Sequence, residues 1–388
     1  MKNILIQKFK LNIKFYFKIQ LYKKKLIFFQ IILQFLIKIQ YLINISLYKI
    51  MATQKLLNYY PKATVLKQIP FSPFNKNQKI YIKDQDNLYK TLIQIYKTHP
   101  QQRLDVVSDF DHTITDFYYN NQPVSPSFGI LNRSQHVTIE MENQAKEIFE
   151  IYSKYENTKQ YTFEFKYQKM EEWVKLTAEL FVKFQINSVI LQNILNDNTL
   201  CFRYGFNDFL KYCVQQNINF IVISGGIQDV IYYMMNQITE LNQFQNLMII
   251  SNKMLFDNDG NIVGFSDKRV HSHNKYNLLK HQDYPQLKKN CILLGDLLHD
   301  IYMTKNSSYE NQIRFGFAKK DDEVQNFLKK YDIVLLNQGS YIPVECILRS
   351  LISNDNLPLD ILAKLQIISP ELVEVLFEFQ SQKQKLQN

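Results

Sequence analysis

Short runs of apolar residues recur along the chain from residue 104 onward, and most of them do not alternate with polar residues. A strand of this kind is buried on both faces, which is typical of a parallel sheet covered by helices on both sides. The pattern predicts strands at Leu104–Ser108, Ile218–Ser224, Leu247–Ser251, Cys291–Gly295, Ile313–Phe317 and Asp332–Leu336. Apolar residues at helical spacing lie between them, and a helix near 88–98 precedes the first. We therefore expect an α/β core built on a Rossmann-like, mostly parallel sheet.

The gap between the first two predicted strands is too long for a single crossover connection. Residues 137–155 and 168–195 fill this gap with helical periodicity, which predicts a helical cap inserted after the first strand. The end of the chain also has helical spacing, but the sequence does not indicate what it packs against. The predicted organisation is a leader of residues 1–50, a core of residues 51–116 and 206–352, a cap of residues 117–205 and a helical tail of residues 353–388.

The leader differs from the rest of the chain in charge. It contains ten lysines and no acidic residue, which accounts for the whole formal charge of +10. Subtracting its ten lysines from the 46 basic residues leaves 36, which equals the 36 acidic residues of the chain. A neutral remainder gives no electrostatic indication of a nucleic-acid partner, and we expect none.

Three hypotheses describe the leader. A membrane anchor fits the apolar stretch 26–48, although Lys38 lies at its centre, where a lysine costs about 2.5–3.5 kcal/mol. An organelle-targeting presequence fits the basic character, although the segment has no arginine and one serine. The third hypothesis is an untranslated AT-rich reading frame that precedes a start at Met51. We expect a cytoplasmic protein, with a mitochondrial or membrane-anchored one as the alternative if the leader is retained.

Two carboxylates follow the first predicted strand, in the segment Asp109-Phe110-Asp111-His112-Thr113. Residues two apart at the carboxyl end of a strand point the same way, into the crevice where open α/β sheets bind ligands. Apolar residues precede this pair, and burying it without a metal or a functional role would be costly. An Asp-rich turn that caps a helix is the alternative interpretation.

The second predicted strand ends in Ser224-Gly225-Gly226, directly before a helical pattern. A hydroxyl and two glycines at a helix N-terminus offer backbone N–H groups to an anion. Lys275 stands in a polar turn further along the chain. The alternatives are a plain glycine turn and a solvated surface lysine.

Asp296 and Asp300 follow another predicted strand and are separated by one helical turn, a spacing that suits a hard cation. If the strands that carry these groups are neighbours, all of the groups meet at one edge of the sheet. Phosphoryl transfer needs a nucleophile, a proton donor, a metal and cations that hold the phosphate oxygens. The sequence contains a candidate for each part.

With these segments the sequence resembles the haloacid-dehalogenase-like (HAD) phosphohydrolase superfamily. Within it, the sequence is most similar to the cytosolic pyrimidine 5′-nucleotidases, or 5′-nucleotidase type III. The resemblance covers roughly residues 90–350 and is carried by residues 107–113, 223–230, 251–257, 271–275, 293–300 and 331–335. It implies an HAD-like core with a helical cap.

The resemblance also implies catalytic and metal-binding roles. Asp109 would attack phosphorus and become an aspartyl-phosphate, while Asp111 would protonate the leaving oxygen and then activate water. Mg²⁺ would be held by Asp109, the backbone carbonyl of Asp111 and Asp296, with Asp300 in support. Four carboxylates beside a phosphate are tolerable at neutral pH only with cations among them.

Substrate-binding roles follow from the same resemblance. Ser224 and the N–H of Gly225 would hold phosphate oxygens, and Lys275 would offset the negative charge. Glu156 matches the cap glutamate that meets the nucleobase, and its carboxylate could accept from the amine of cytosine or favour a charged methylated guanine. A solvated helix-end charge is the alternative for Glu156. Thr177 stands where the family usually has serine.

Two departures from the family pattern concern the substrate. Gly225 replaces a common alanine, and Phe128 stands where a histidine is frequent. The leading hypothesis is a Mg²⁺-dependent 5′-nucleotidase acting on CMP, UMP or 7-methyl-GMP. An HAD phosphatase or phosphotransferase for another small phosphoester is the second hypothesis. An inactive nucleotide-binding or membrane-anchored relative is the third. The sequence leaves the oligomeric state open.

Overall fold

A computed structural model describes residues 69–99, 103–130, 134–158, 160–197, 200–238, 246–280, 287–353, 357–364 and 367–387. The leader, with its three hypotheses, lies outside these residues. Within the ranges given, no helix is both long enough and apolar enough to cross a membrane.

The central sheet contains seven strands, and two small hairpins lie outside it. The strands are β1 (Lys79–Ile82), β2 (Asp105–Ser108), β3 (Tyr118–Tyr119), β4 (Gln122–Pro123), β5 (Phe220–Ile227), β6 (Leu247–Asn252), β7 (Met254–Phe256), β8 (Ile262–Phe265), β9 (Asn290–Gly295), β10 (Asn311–Phe317) and β11 (Ile333–Leu336). The order across the sheet is β1-β11-β10-β9-β2-β5-β6. All neighbours in it are parallel except β1 and β11.

The predicted α/β core with a mostly parallel, HAD-like sheet is confirmed, and the six predicted strands all occur. The sequence did not indicate β1. This strand is an antiparallel edge with an exposed or half-buried side chain at every position, so it lacks the apolar run that marked the others. As a result, the helical insert follows the second strand of the sheet along the chain.

Helices cover the sheet and form the insert. They are α1 (Gln85–Lys97), α2 (Ile139–Asn157), α3 (Phe163–Lys183), α4 (Ser188–Asp197), α5 (Phe206–Gln215), α6 (Gln228–Asn236), α7 (Val324–Leu328), α8 (Ile342–Ile352), α9 (Leu359–Lys364) and α10 (Pro370–Gln387). Short 3₁₀ helices occupy Lys275–Lys280, Asp300–Thr304 and Asp321–Glu323.

The insert between β2 and β5 contains α2, α3 and α4. The periodicity predicted one helix over 168–195, but the structure has two. The chain breaks because Gln185 adopts a left-handed φ of 53°. The Asn187 side chain then accepts from the amides of Val189 and Ile190, which starts α4. The predicted cap boundaries at 117 and 205 stay a prediction.

The two chain segments that join the insert to the core run side by side. Thr115 and Phe202 form an antiparallel bridge. The Asp116 amide donates to the Cys201 carbonyl at 3.1 Å, and the Arg203 amide donates to the Ile114 carbonyl at 2.9 Å. The insert therefore leaves and re-enters the core at one place.

The helical tail packs against α1. Phe379 of α10 is fully buried, and its ring contacts Tyr96 edge-on at 5.8 Å between centroids. The Lys383 ammonium donates to the Ser350 carbonyl of α8 at 2.9 Å. The tail thus packs on the helical layer beside the sheet. All four cysteines of the chain are buried and free.

Candidate active site

The predicted chemistry gathers at the carboxyl edge of the sheet. β2 lies between β9 and β5, so the segments that follow these strands meet there. One cavity of about 680 Å³ opens at this edge, beneath the helical insert. The predicted site residues that line it are Asp109, Asp111, Glu156, Thr177, Ser224, Gly225, Lys275 and Asp296. Asp300 lies buried behind Lys275 rather than on the wall.

Three carboxylates form a compact cluster that could hold a metal ion. One oxygen each of Asp109, Asp296 and Asp300 lies within 4.8 Å of the others. The Lys275 ammonium donates to Asp109 Oδ1 at 2.6 Å and to Asp300 Oδ1 at 2.9 Å. The second oxygen of Asp300 accepts from the Leu297 amide at 3.0 Å, which fixes its orientation.

The charges in this cluster do not balance. Burial, reinforced by the charges of Asp300 and Asp111, raises the pKa of Asp109 to about 7 against the opposing effect of Lys275. Burial and the neighbouring carboxylates also raise the pKa of Asp296 well above its ordinary value. Burial alone would lower the pKa of Lys275, but Asp109 and Asp300 outweigh it and keep the ammonium protonated. Excess buried negative charge on oxygen ligands fits a divalent hard cation.

Asp111 is held apart from this cluster by Ser127. The Ser127 amide donates to Asp111 Oδ1 at 2.6 Å, and its hydroxyl donates to Oδ2 at 2.7 Å. Burial raises the pKa of Asp111, while these two hydrogen bonds oppose the rise. A β-carbon on Gly226 would lie 1.8 Å from the Ser127 hydroxyl, so only glycine fits at 226.

The predicted phosphate loop differs in its local structure. β5 continues to Ile227 instead of ending at Ser224, and its register with β6 is irregular between Ile223 and Ile227. The irregularity turns the backbone within the strand, and Ser224 Oγ accepts from the Gly226 amide at 3.0 Å. The Asn252 side chain donates to the Gly225 carbonyl at 2.8 Å. This bonding fixes the loop before any ligand binds.

Aromatic side chains of the insert form the far wall of the cavity. Trp173, the single tryptophan of the chain, contacts Phe128 at 6.2 Å and Phe149 at 5.9 Å between ring centroids. The Thr177 hydroxyl donates to the Trp173 carbonyl at 3.0 Å, so only its oxygen lone pairs remain for a ligand. Glu156 stands half-buried in the last turn of α2.

Arg203 is a positioning residue that the sequence did not reveal. Its fully buried guanidinium donates to the carbonyls of Thr113 at 3.0 Å and Gly339 at 2.9 Å, and also to the carbonyl of His112. Its charge is paired with the buried Asp116 at 3.5 Å. Arg203 therefore holds the loop that carries Asp109 and Asp111. Most of its partners are backbone carbonyls, which the sequence does not identify. Ser127 and Trp173 were also missed, and the single tryptophan could have pointed to Trp173.

A polar contact ties the insert to the segment that carries Lys275. Glu171 of α3 accepts from His271 at 3.0 Å and lies 3.5 Å from the guanidinium of Arg269. Burial lowers the pKa of His271 to about 4, so its imidazole is neutral at pH 7. Of the two partners of Glu171, Arg269 is therefore the charged one.

A mostly parallel α/β core, a cluster of aspartates at the end of its central strands and a helical insert over them are the features expected of an HAD-like phosphohydrolase. The family model described as pyrimidine 5′-nucleotidase (UMPH-1) matches residues 112–352, and the chain belongs to this family. The matched region begins at His112, directly after Asp111.

Individual relatives agree with this assignment. The chain is 30% identical to 7-methylguanosine phosphate-specific 5′-nucleotidase A of Xenopus laevis over 277 residues, which are 70% of this chain and 94% of the relative. It is 28% identical to the 7-methylguanosine phosphate-specific 5′-nucleotidase of Homo sapiens, over 60% of this chain and 79% of the relative. The structure of cytosolic 5′-nucleotidase IIIB bound to cytidine matches with a TM-score of 0.62 at 22% identity, covering 70% and 93% of the two chains, and it shows the shared fold.

The expected family and enzyme class are therefore confirmed. The protein is a 5′-nucleotidase, a phosphoric monoester hydrolase, at the level of its family. Its relatives act on small nucleotides.

Proposed function

We propose that this protein is a Mg²⁺-dependent nucleoside 5′-monophosphate phosphatase in which Asp109 is the nucleophile. The observation that carries the proposal is the position of Asp109. It lies beside the ammonium of Lys275, within the carboxylate cluster, and on the wall of the same cavity as Ser224 and the aromatic insert.

Asp109 would attack the phosphorus, and the bond to the nucleoside 5′-oxygen would break as Asp111 gives that oxygen a proton. The raised pKa of Asp111, caused by burial, favours a protonated carboxyl that can act as this acid. Asp111 would then take a proton from water as the water oxygen attacks phosphorus. The bond to Asp109 breaks, and phosphate leaves. Ser224 and the Gly225 amide would hold the phosphate oxygens beside Lys275.

The proposed ligands of Mg²⁺ are Asp109, the backbone carbonyl of Asp111 and Asp296, with Asp300 in support. When bound, the ion would supply the positive charge that lets a carboxylate approach a phosphate. Asp300 would act mainly through Lys275 and through its bond to the Leu297 amide.

For the base we propose 7-methylguanine first and cytosine second. Three aromatic side chains, Phe128, Phe149 and Trp173, line the cavity together with the carboxylate of Glu156. Aromatic faces and a carboxylate both favour a base that carries positive charge, as 7-methylguanine does. The names of the vertebrate relatives and the cytidine bound to the nucleotidase IIIB structure support the same two bases. We also propose a cytosolic location, in line with the name of the latter protein.

Release of phosphate from 7-methyl-GMP, CMP, UMP, AMP and p-nitrophenyl phosphate, with and without Mg²⁺, tests the proposal. We expect Mg²⁺-dependent turnover that is fastest with 7-methyl-GMP, and none in Asp109→Asn, because an amide cannot form the phosphoenzyme. Glu156→Ala should reduce the differences in turnover rate among nucleotides that carry different bases. Turnover near wild type in Asp109→Asn would refute the nucleophile. Faster turnover of p-nitrophenyl phosphate than of every nucleotide would indicate a general phosphatase.

A further inference from the structure

His299 lies at the cavity but belongs to none of the groups described so far. It stands in the turn between Asp296 and the 3₁₀ helix that starts at Asp300, and its side chain lines the cavity. Its backbone carbonyl accepts from the Tyr302 amide at 3.0 Å. The ring nitrogen Nε2 is buried and has no hydrogen-bond partner among the described residues. The backbone carbonyl of His299 therefore has a partner, and its ring nitrogen Nε2 has none among the described residues.

An unpaired buried nitrogen costs free energy, so native proteins almost always give such a group a partner. The ring neighbour of His299 is the imidazole of His273, whose centroid is 6.3 Å away, too far for a direct hydrogen bond. The residue lines the cavity, so a ligand bound there can supply the partner.

The surroundings of His299 identify which part of the substrate would reach it. An imidazole offers an N–H donor, a lone pair or both to a ligand. His299 follows Asp296 by three residues, and its ring neighbour His273 contacts Phe163 of the insert at 5.7 Å between centroids. His299 thus lies between the carboxylate cluster and the insert.

The phosphoryl end of the cavity already has Lys275 and Ser224. The base end has Glu156 and the ring of Trp173. Between the two ends of a nucleoside 5′-monophosphate lies its ribose, whose hydroxyl groups both donate and accept hydrogen bonds. A hydroxyl can accept from an imidazole N–H or donate to an imidazole lone pair.

We propose that His299 is a specificity-determining residue that hydrogen-bonds a ribose hydroxyl of the substrate through its unpaired ring nitrogen, an inference that rests on the proposed nucleotidase function. The segment of residues 295–300 would then contact two parts of the substrate. Its aspartates would lie at the phosphate and its histidine at the sugar.

The test compares kcat/KM for CMP and for p-nitrophenyl phosphate, which has no sugar, in wild type and in His299→Ala. We expect the ratio of the two values to fall by about tenfold in the variant, mainly through a higher KM for CMP, as for the loss of one hydrogen bond. Assays with 2′-deoxy-CMP and 3′-deoxy-CMP then locate the hydroxyl. For the analogue that lacks the hydroxyl bonded by His299, the substitution should lower kcat/KM less than it does for CMP. An unchanged ratio would overturn the proposal.

Two further substitutions separate binding from folding. The amide of Gln reaches about as far as imidazole Nε2, whereas that of Asn reaches only as far as Nδ1. His299→Gln should therefore recover most of the CMP selectivity, and His299→Asn should not. Equal selectivity in both, with unchanged unfolding midpoints, would contradict a contact through Nε2. If His299→Ala does not fold, the Gln and Asn pair provides the comparison.

Failure of this inference is distinguishable from failure of the proposed function. Wild-type protein that does not hydrolyse CMP or 7-methyl-GMP would refute the nucleotidase itself. Suppose that wild-type protein hydrolyses these nucleotides and that His299→Ala lowers kcat/KM by the same factor for every phosphoester. This result would refute only the sugar contact.

Discussion

At the scale of single residues, Arg203 shows how a buried charge can organise a loop that has no regular structure. The segment after β2 has several carbonyls that no strand or helix pairs. Arg203 binds those of His112 and Thr113, and its fork of donors suits several oxygens at once. The ring of Phe317 packs under its guanidinium at 4.2 Å. Geometry of this kind is specific to arginine.

We predict that Arg203→Lys lowers the free energy of unfolding by about 3–5 kcal/mol, because one ammonium cannot replace these contacts and leaves buried groups unpaired. Urea unfolding followed by circular dichroism measures the loss. Arg349→Lys is the matched control, since Arg349 pairs with one carboxylate, Glu345 of α8, at 2.6 Å and its side chain is 39% exposed. The control should lose clearly less stability than Arg203→Lys. Equal losses in the two variants would contradict the role of Arg203.

Asp109 allows a prediction about pH. Burial raises its pKa to about 7 from the ordinary value of 3.8, so between these values the folded protein retains a proton that the unfolded chain has released. The folded state binds more protons there, and the free energy of unfolding must fall as the pH rises through this window. Mg²⁺ binds ionised carboxylates and should oppose the fall.

Unfolding midpoints of EDTA-treated protein, with and without added Mg²⁺, measure this effect. We expect Mg²⁺ to raise the midpoint clearly at about pH 7.5 and hardly at about pH 5, where protons compete for the same oxygens. Asp296→Asn should abolish the rise at the higher pH. An equal rise at both values would show that the ion binds elsewhere.

At the scale of elements, α3 does more than cover the cavity. Its inner face carries Trp173 and Thr177, and Glu171 reaches across to the segment that leads to Lys275. One carboxylate therefore connects the helix that carries the aromatic wall with the segment that leads to Lys275.

We predict that Glu171→Ala lowers kcat/KM for nucleotides by about three- to tenfold, because Lys275 and the insert lose their common support. The free energy of unfolding should change by about 1 kcal/mol or less, since Glu171 is partly exposed. Glu179→Ala on the same helix is the control, because Glu179 forms only an exposed pair with Lys175 at 3.6 Å. Identical kinetics in the two variants would argue against the connection.

At the scale of the whole molecule, α10 covers α1 although the two helices come from opposite ends of the described chain. Phe379 is fully buried in this contact, while Phe377 on the same helix is 66% exposed. We predict that Phe379→Ala costs about 3–5 kcal/mol in urea unfolding and that Phe377→Ala costs about 0.5 kcal/mol or less. Similar costs would mean that the tail does not contribute to the folded core.

The sequence predicted the sheet and the acidic cluster because both follow local rules. A continuous apolar run marks a buried parallel strand, and the position after it places Asp109 and Asp296 at the edge where ligands bind. The edge strand β1 has no such run and was missed. The contacts of Ser127 and Arg203 depend on which loops meet in space, so no spacing in the sequence could reveal them.

The side-by-side joints at Thr115 and Phe202 have an evolutionary consequence. An insertion whose two ends nearly touch can be enlarged, trimmed or exchanged while the surrounding architecture stays intact. Here the insert contains the aromatic wall of the cavity, whereas the proposed nucleophile lies on the α/β core. New substrate preferences could thus arise through changes in the insert alone, while the proposed catalytic groups on the core stay the same.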